Sequence, residues 1–401
     1  MSRTAFAYRA PSVYKLQMEE MYYLIIRTEV SIHSVGFINE PPTNITSRMN
    51  SSMMTRILSS FFLICSISGV WSVQEEIVDA LENGALSPEE AFSDLVVFDD
   101  DGKPVKIDFD LNDPESEEET RQQLKNRVIF HLHTRSNPKQ PKTLRVGDVA
   151  ALNKSDFNPK KHTKFITHGW MQSSKNDACT KVRDGFLNNG DYNIIVVDWQ
   201  KISKRPYLWV SRRIPMISKY VSSMINFLEE QGMDISKVTV VGHSLGAHIA
   251  GLSSHYAKKR VDFVVGLDPA YPNFEIAGVG SRIASGDANY VQIIHTNGGL
   301  LGFKSAIGDS DFYPNGGTAQ VGCTVDVAGA CSHLRSVYYF AESLNSKSGF
   351  WASKCQNVAD VDKHNCKTKP EAVMGGAVPD LKVKGVYYLK TSKSSPYALG
   401  N

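Results

Sequence analysis

The pentapeptide Gly242-His243-Ser244-Leu245-Gly246 is the part of this 401-residue chain whose residue types and spacing most clearly could do chemistry. It has the form G-x-S-x-G and joins a β-branched run at 238–241 to a longer stretch of helical character at 245–258. A serine on such a strand–turn–helix junction is lifted above the end of a sheet, and the glycines permit the tight, strained turn that does this. A serine hydroxyl attacks well only when a base takes its proton and a carboxylate orients the base. In sheets carrying this turn the partners follow in the order Ser, Asp, His. Asp268 ends the apolar run 264–267 just before Pro269, which places it at the same sheet edge as Ser244. Asp198 also ends a strand-like run but precedes the serine, so chain order excludes it. Asp262, Asp287, Asp309, Asp311 and Asp326 read as loop or capping carboxylates. His295, His333 and His364 all follow Asp268. His295 closes an apolar strand, and His364 lies in a charged loop by Cys366. His333 follows a Gly-rich region and sits two residues after Cys331, which favours it while leaving the choice open.

A tetrahedral intermediate needs donors for its oxyanion. One is expected to be the backbone N–H of Leu245, at a helix N-terminus; the other is the N–H of Trp170, in the loop His168-Gly169-Trp170 after an earlier strand. The His168 side chain is expected to brace that loop, and His243 and His248 to be structural.

The elements that must position these groups are legible as alternating short β-branched runs and longer amphipathic stretches from residue 127 onward. Strands are expected at 164–167, 194–197, 238–241, 263–267 and 290–294, and helices at 176–187, 212–230 beyond Pro215, 245–258 and about 334–344. The uninterrupted apolar run 194–197 marks a strand covered on both faces. Met216, Tyr220, Met224 and Leu228 form a helical stripe that reads as core packing. The pattern predicts an α/β fold with a central, mostly parallel sheet and helices on both faces. No internal repeat is evident.

Composition bounds the rest. Hydrophobic residues make up 42% and charged residues 21%, which excludes a mostly disordered chain. The net charge of +2 gives no reason to expect nucleic-acid binding, but it is a cancellation. Residues 73–126 carry 4 basic and 17 acidic side chains, whereas residues 127–401 carry 34 basic and 21 acidic ones. The acidic density of 73–126 predicts a leader that resists packing, either a solvated tail or a propeptide-like mask.

Residues 49–72 contain a basic start, a short apolar run from Ile57 to Val70, and small residues around Ser66, Ser68 and Gly69, the pattern of a secretory signal peptide. Signal peptides begin at the initiator Met, so residues 1–48 are expected to be a non-native or unstructured extension. Secretion permits disulfides among Cys179, Cys323, Cys331, Cys355 and Cys366, with one thiol left over, and makes Asn153-Lys154-Ser155 a candidate glycosylation site.

The stretches His168-Gly169-Trp170, GHSLGAHIAG at 242–251, GLDPA at 266–270, VQIIHT at 291–296, DFYPNGG at 311–317 and CSHLRS at 331–336 resemble the secreted pancreatic-lipase family, especially its insect neutral-lipase and A1-type phospholipase branch. The resemblance covers most of residues 127–401 and implies an α/β-hydrolase fold. It implies Ser244 as nucleophile, Asp268 as acid and His333 as base, and pairs Cys323 with Cys331 and Cys355 with Cys366, leaving Cys179 free. It implies hydrolysis of acyl esters of glycerolipids at a lipid–water interface, without a cofactor. Three departures qualify it. Only seven residues lie between Cys323 and Cys331, where the family's longer lipases carry a lid, so A1-type phospholipase activity is expected, with strict triacylglycerol hydrolysis as the alternative. Val279 and Ala284 stand where carboxylates of the family's calcium site are expected, beside the matching Arg282 and Asp287, so no bound metal is expected. The chain ends soon after Leu389, so no C-terminal β-sandwich and no colipase are expected. A silent, yolk-like lipid-binding protein is the rival of another class; the presence of Ser244, Asp268 and His333 argues against it.

Overall fold

Continuous apolar runs form strands buried on both faces, and these make the centre of the molecule. The computed structural model describes residues 95–107, 113–324, 326 and 329–401, all within one of the chain's two compact units, Ile77–Asn401. The expected signal peptide and the extension before it lie outside the described residues.

In chain order the strands are β1 (Val96–Phe98), β2 (Pro104–Lys106), β3 (Ile129–His133), β4 (Lys142–Leu144), β5 (Thr163–Thr167), β6 (Asn193–Asp198), β7 (Val238–His243), β8 (Phe263–Leu267), β9 (Tyr290–Ile294), β10 (Ser310–Pro314), β11 (Phe350–Cys355), β12 (Ala372–Met374) and β13 (Gly385–Leu389). The longer helices are α1 (Glu117–Arg127), α2 (Asp177–Asn189), α3 (Ile214–Glu230), α4 (Leu245–His255) and α5 (Ala330–Ser343). Eleven strands form one sheet in the order β12-β11-β13-β10-β9-β8-β7-β5-β6-β3-β4. The run from β13 through β10, β9, β8, β7 and β5 to β6 is parallel; the outer strands β3, β4, β11 and β12 pair antiparallel. Every residue of β5 through β10 is buried, as strands roofed on both faces require. This is the α/β-hydrolase architecture that the alternation and the resemblance lead one to expect.

The expected helices form for the expected reasons. Asn176 caps α2, its side chain accepting from the Ala178 amide at 3.0 Å. Pro215 lies in the first turn of α3, where a missing N–H is harmless. Met216, Met224 and Leu228 of the α3 stripe are buried in one cluster with Val240, Ile249 and Val264, each fully buried side chain contributing about 1.5–3 kcal/mol. Among the described residues, no helix is long and apolar enough to cross a membrane.

The acidic segment departs from expectation. Its described part packs: Leu95, Val97, Ile107 and Leu124 are buried in the same cluster as Phe130 and Val197. Residues 95–107 form the β1–β2 hairpin, and Ser116 and Glu119 close a capping box at the start of α1. The acids find distant cations. Arg205 grips Asp113 at 2.5 and 2.6 Å and reaches Glu115 at 3.3 Å, while Arg127 meets Glu115 at 2.6 Å. Arg213, almost fully buried, donates to the Glu115 carbonyl at 2.7 Å and to Thr120 Oγ1 and the Trp209 carbonyl at 3.1 Å, with its guanidinium 3.7 Å from the Trp209 ring. Local charge density does not reveal this, because Arg205 and Arg213 lie some ninety residues away and Arg127 just beyond the segment. The Gly-rich region at 297–331 likewise contains a central strand, β10, whose partners β9 and β13 lie outside that region.

Candidate active site

The turn between β7 and α4 is built by its glycines. Ser244 sits at φ 58°, ψ −126°, a strained conformation for a residue with a side chain. A Cβ on Gly242 would lie 2.0 Å from the Gly246 carbonyl oxygen, and one on Gly246 would lie 2.4 Å from the His168 carbonyl oxygen. Neither contact can relax, because both meet backbone. Gly169 is equally confined: its Cβ would lie 2.9 Å from Ser244 Cβ, so the His168-Gly169-Trp170 loop can press against the serine only with glycine there.

Asp268 follows β8 at the same sheet edge, also at positive φ (45°), and is fully buried. Its Oδ1 accepts from the Thr296 amide at 2.7 Å and the Asn297 amide at 3.0 Å. Its Oδ2 lies 2.6 Å from His333 Nδ1. Gly302 leaves room for this carboxylate, since a Cβ there would sit 2.5 Å from its atoms. His333 occupies the first turns of α5, a helix that begins a few residues earlier than the sequence suggests. Asp326 explains the early start, its carboxylate capping the amides of Cys331 at 2.8 Å and Ser332 at 3.1 Å. The Cys323–Cys331 disulfide ties this short loop, Cys355 pairs with Cys366, and Cys179 is free and buried. With Nδ1 donating to Asp268, His333 Nε2 is left as the acceptor; it is buried and has no hydrogen-bond partner among the described residues.

Ser244 and His333 line one cavity of about 450 Å3, together with Trp170, Gln172, His243, Leu334 and residues of the β1–β2 hairpin. The other two candidate histidines lie elsewhere. His295 lies within the core, its two ring nitrogens facing the acceptor oxygens of the Phe303 carbonyl at 2.7 Å and the Asp311 carboxylate at 2.9 Å. His364 lies beside Tyr388, away from that cavity.

The Trp170 amide makes no hydrogen bond among the described residues, and Leu245 opens α4, where first-turn amides lack intrahelical acceptors. The loop bearing Trp170 is braced throughout. His168 Nε2 accepts from the Trp199 amide at 3.1 Å, which leaves Nδ1–H to donate to the Gly169 carbonyl at 2.9 Å. The His168 and Trp199 rings stack at 5.0 Å. Gln172 accepts from the Gly169 amide at 3.0 Å, and Trp170 Nε1 donates to the Arg205 carbonyl at 2.7 Å.

His243, expected to be structural, donates from Nε2 to the His333 carbonyl at 3.2 Å, and the two rings lie 4.5 Å apart. Burial, with His333 next to it, pushes the His243 imidazole well below the ordinary histidine range, so it is neutral beside His333. Adjacency to the serine was the available signal, and the contact depends on α5 crossing over β7.

The positions that the resemblance links to calcium do not offer the oxygen set that ion takes. Val279 is exposed and apolar, and Ala284 has no side-chain oxygen; its amide donates to the Asp287 carboxylate at 2.8 Å and its carbonyl accepts from the Asp287 amide at 3.2 Å. The other Asp287 oxygen faces His255 at 3.1 Å. Asn153 is exposed at the end of a short helix, Val149–Asn153.

A family model described as Lipase matches residues 92–397. The chain is 31% identical over 263 residues to the pancreatic triacylglycerol lipase of Cavia porcellus, covering 60% of this chain and 56% of that protein. It is equally 31% identical over 265 residues to a protein of Mus musculus named inactive pancreatic lipase-related protein 1, with 60% and 56% covered. Lipoprotein lipase of Papio anubis is 31% identical over 270 residues, with 60% and 57% covered. The chain thus spans somewhat more than half the length of these relatives. One of these relatives is named inactive, so activity rests on the geometry of the site itself.

Proposed function

The chain belongs to the lipase family, and on that premise we propose that it is a secreted serine carboxylic ester hydrolase cleaving acyl esters of glycerolipids through an acyl-enzyme. The observation that carries this reading is the 2.6 Å contact of His333 Nδ1 with Asp268, which leaves a buried, unpartnered Nε2 in the cavity that also holds the strained Ser244.

In this mechanism Ser244 Oγ attacks the ester carbonyl as its proton passes to His333 Nε2, and Asp268 stabilises the imidazolium. The Trp170 and Leu245 amides receive the oxyanion. Collapse breaks the bond to the leaving alcohol, which takes the proton back from His333. Water, deprotonated by the same nitrogen, then attacks the acyl-enzyme and releases the carboxylic acid and Ser244. The serine–histidine hydrogen bond is not closed in the free protein; such contacts commonly tighten only when substrate binds.

A fluorophosphonate probe tests the reading: it should label the folded protein, and Ser244→Ala should abolish labelling. Folded wild-type protein that does not label, alongside saturable lipid binding, would instead support a silent lipid-binding role.

The short Cys323–Cys331 loop supports phospholipid hydrolysis at the sn-1 position, since seven residues cannot roof the cavity as a long lid would. Phosphatidylcholine should then be cleaved below as well as above its saturation concentration. A rate jump confined to supersaturated triolein would mark a strict triacylglycerol lipase. The basic excess of residues 127–401 supports attraction to anionic lipid surfaces, and the disulfides support an extracellular setting.

A further inference from the structure

We propose that the β1–β2 hairpin is a wall of the ester-binding cavity and that Asp99 in its turn, with Asp177 opposite, makes the cavity select against negatively charged esters. The proposal rests on the hydrolase reading above and adds to it which substrates are admitted.

The cavity that holds Ser244 and His333 is bounded by Val97, Phe98, Asp99, Asp100 and Gly102 of the hairpin. Three of the residues lining the cavity are acidic, Asp99, Asp100 and Asp177, against one lysine, Lys175. Lys204, reaching Asp100 at 3.0 Å, neutralises a second. One negative charge is left over. His333 Nε2, without a hydrogen-bond partner among the described residues and on a residue only 3% exposed, marks the same space as the place where a ligand reacts.

The hairpin is held there by specific bonds. Val97 pairs with Val105 across the strands and is buried in the core. Asp100 Oδ1 accepts from the Ser173 amide at 2.8 Å, three residues from Trp170. Asp99 organises the turn, its Oδ1 accepting from the amides of Asp101 and Lys103, each at 2.9 Å. No cation pairs with Asp99 among the described residues. Asp177 accepts from the Tyr338 hydroxyl at 2.9 Å, so this carboxylate too is fixed in place.

The body of the protein and its cavity therefore carry opposite charge. Residues 127–401 have an excess of 13 basic side chains, whereas the space around the nucleophile is acidic. One uncompensated charge several ångström from a bound anion, in a partly desolvated cavity, disfavours that anion by about fivefold.

Three soluble p-nitrophenyl esters with the same leaving group isolate this effect from attraction to a lipid surface: the butyrate (neutral), the hemisuccinate (anionic) and the 4-trimethylammonio-butyrate (cationic). Wild-type kcat/KM should be at least fivefold higher for the neutral and cationic esters than for the anionic one, beyond their difference in spontaneous hydrolysis. The gap should narrow at 0.5 M salt. Asp99→Asn keeps the oxygen that the two turn amides need, and should shrink the anionic penalty about fivefold. Asp177→Asn should shift the ratio the same way, and Lys175→Gln should deepen the penalty. Ratios are read within each enzyme, so a general loss of folded protein does not mask them. Comparable turnover of all three esters by wild type, or variants that leave the ratio unmoved, would overturn the charge selection while leaving the hydrolase reading intact. No turnover of any of the three, the neutral butyrate included, would remove the hydrolase reading and this proposal with it.

Discussion

Replacing Asp268 with Asn should lower kcat by about 10⁴, and the surrounding hydrogen bonds show why the loss is forced. Oδ1 of Asp268 accepts two backbone N–H groups, from Thr296 and Asn297, while Oδ2 accepts His333 Nδ1–H. An asparagine can place its oxygen on either side. With the amide NH2 toward the two backbone donors, two buried hydrogen bonds are lost at about 1–3 kcal/mol each. With NH2 toward His333, one contact changes. The second orientation wins, and there the NH2 donates to His333 Nδ1, driving the imidazole proton to Nε2. A histidine protonated at Nε2 cannot accept the serine proton. The expected barrier increase is about 5 kcal/mol, from 1.36 kcal/mol per tenfold in rate. Steady-state hydrolysis of p-nitrophenyl butyrate between pH 6 and 10, with thermal unfolding as a control, measures it. A well-folded Asp268→Asn protein retaining more than about 3% of wild-type kcat would refute the assignment of Asp268 as the carboxylate that sets the tautomer.

Gly302→Ala should lower kcat at least 100-fold for a stability loss of only about 1–3 kcal/mol, because its methyl would sit 2.5 Å from a carboxylate fixed by three hydrogen bonds; paired kinetics and urea unfolding separate the two effects. Arg213→Met should destabilise by about 1.5–3 kcal/mol, since it removes the charge-assisted hydrogen bonds that tie residues 115–120 to Trp209, while the Glu115 carbonyl keeps the Trp209 indole N–H and the Thr120 hydroxyl keeps Glu115; limited proteolysis should then cut first in residues 95–127. His248 is fully buried and held down to about 3, first by burial and against the opposing hydrogen bond to the Ala270 carbonyl. Its folded pKa lies below the unfolded value near 6.5, so its neutral form stabilises the fold fully above pH 6.5. That contribution falls by about 1.4 kcal/mol per pH unit as pH drops from 6.5 toward 3, and urea midpoints of His248→Gln should show a flatter acid limb between pH 6 and 4. Asn153→Gln, expressed through a secretory pathway, should remove a glycan visible as a shift in electrophoretic mobility; wild-type protein insensitive to deglycosylation would exclude the site.

Much of the framework was written locally. The runs at 263–267 and 290–294 coincide with β8 and β9 because a strand roofed on both faces must be apolar at every position, which needs no knowledge of its neighbours. The G-x-S-x-G turn is equally local: its glycines answer clashes within five residues and with the adjoining loop. Chain order and sheet edge were enough to put Asp268 beside Ser244. The histidine was different. His295, His333 and His364 all satisfied the order, and only the packing of α5 over the ends of β7 and β8 brings His333, and not the others, to the carboxylate.

Tertiary structure alone decided the fate of the acidic segment. A count of charges along the chain treats seventeen acids as mutual repulsion, but Asp113 and Asp100 meet Arg205 and Lys204 across the fold, and Glu115 meets Arg127 just past the segment. Those pairs, together with the burial of Val97 and Leu124, hold the β1–β2 hairpin where Asp99 and Asp100 line the cavity that contains Ser244. Sequence determined the chemistry that could occur, because nucleophile turns and buried strands are set by near neighbours. Which histidine meets the carboxylate, and which acidic residues line the cavity, depend on contacts between residues far apart in the chain.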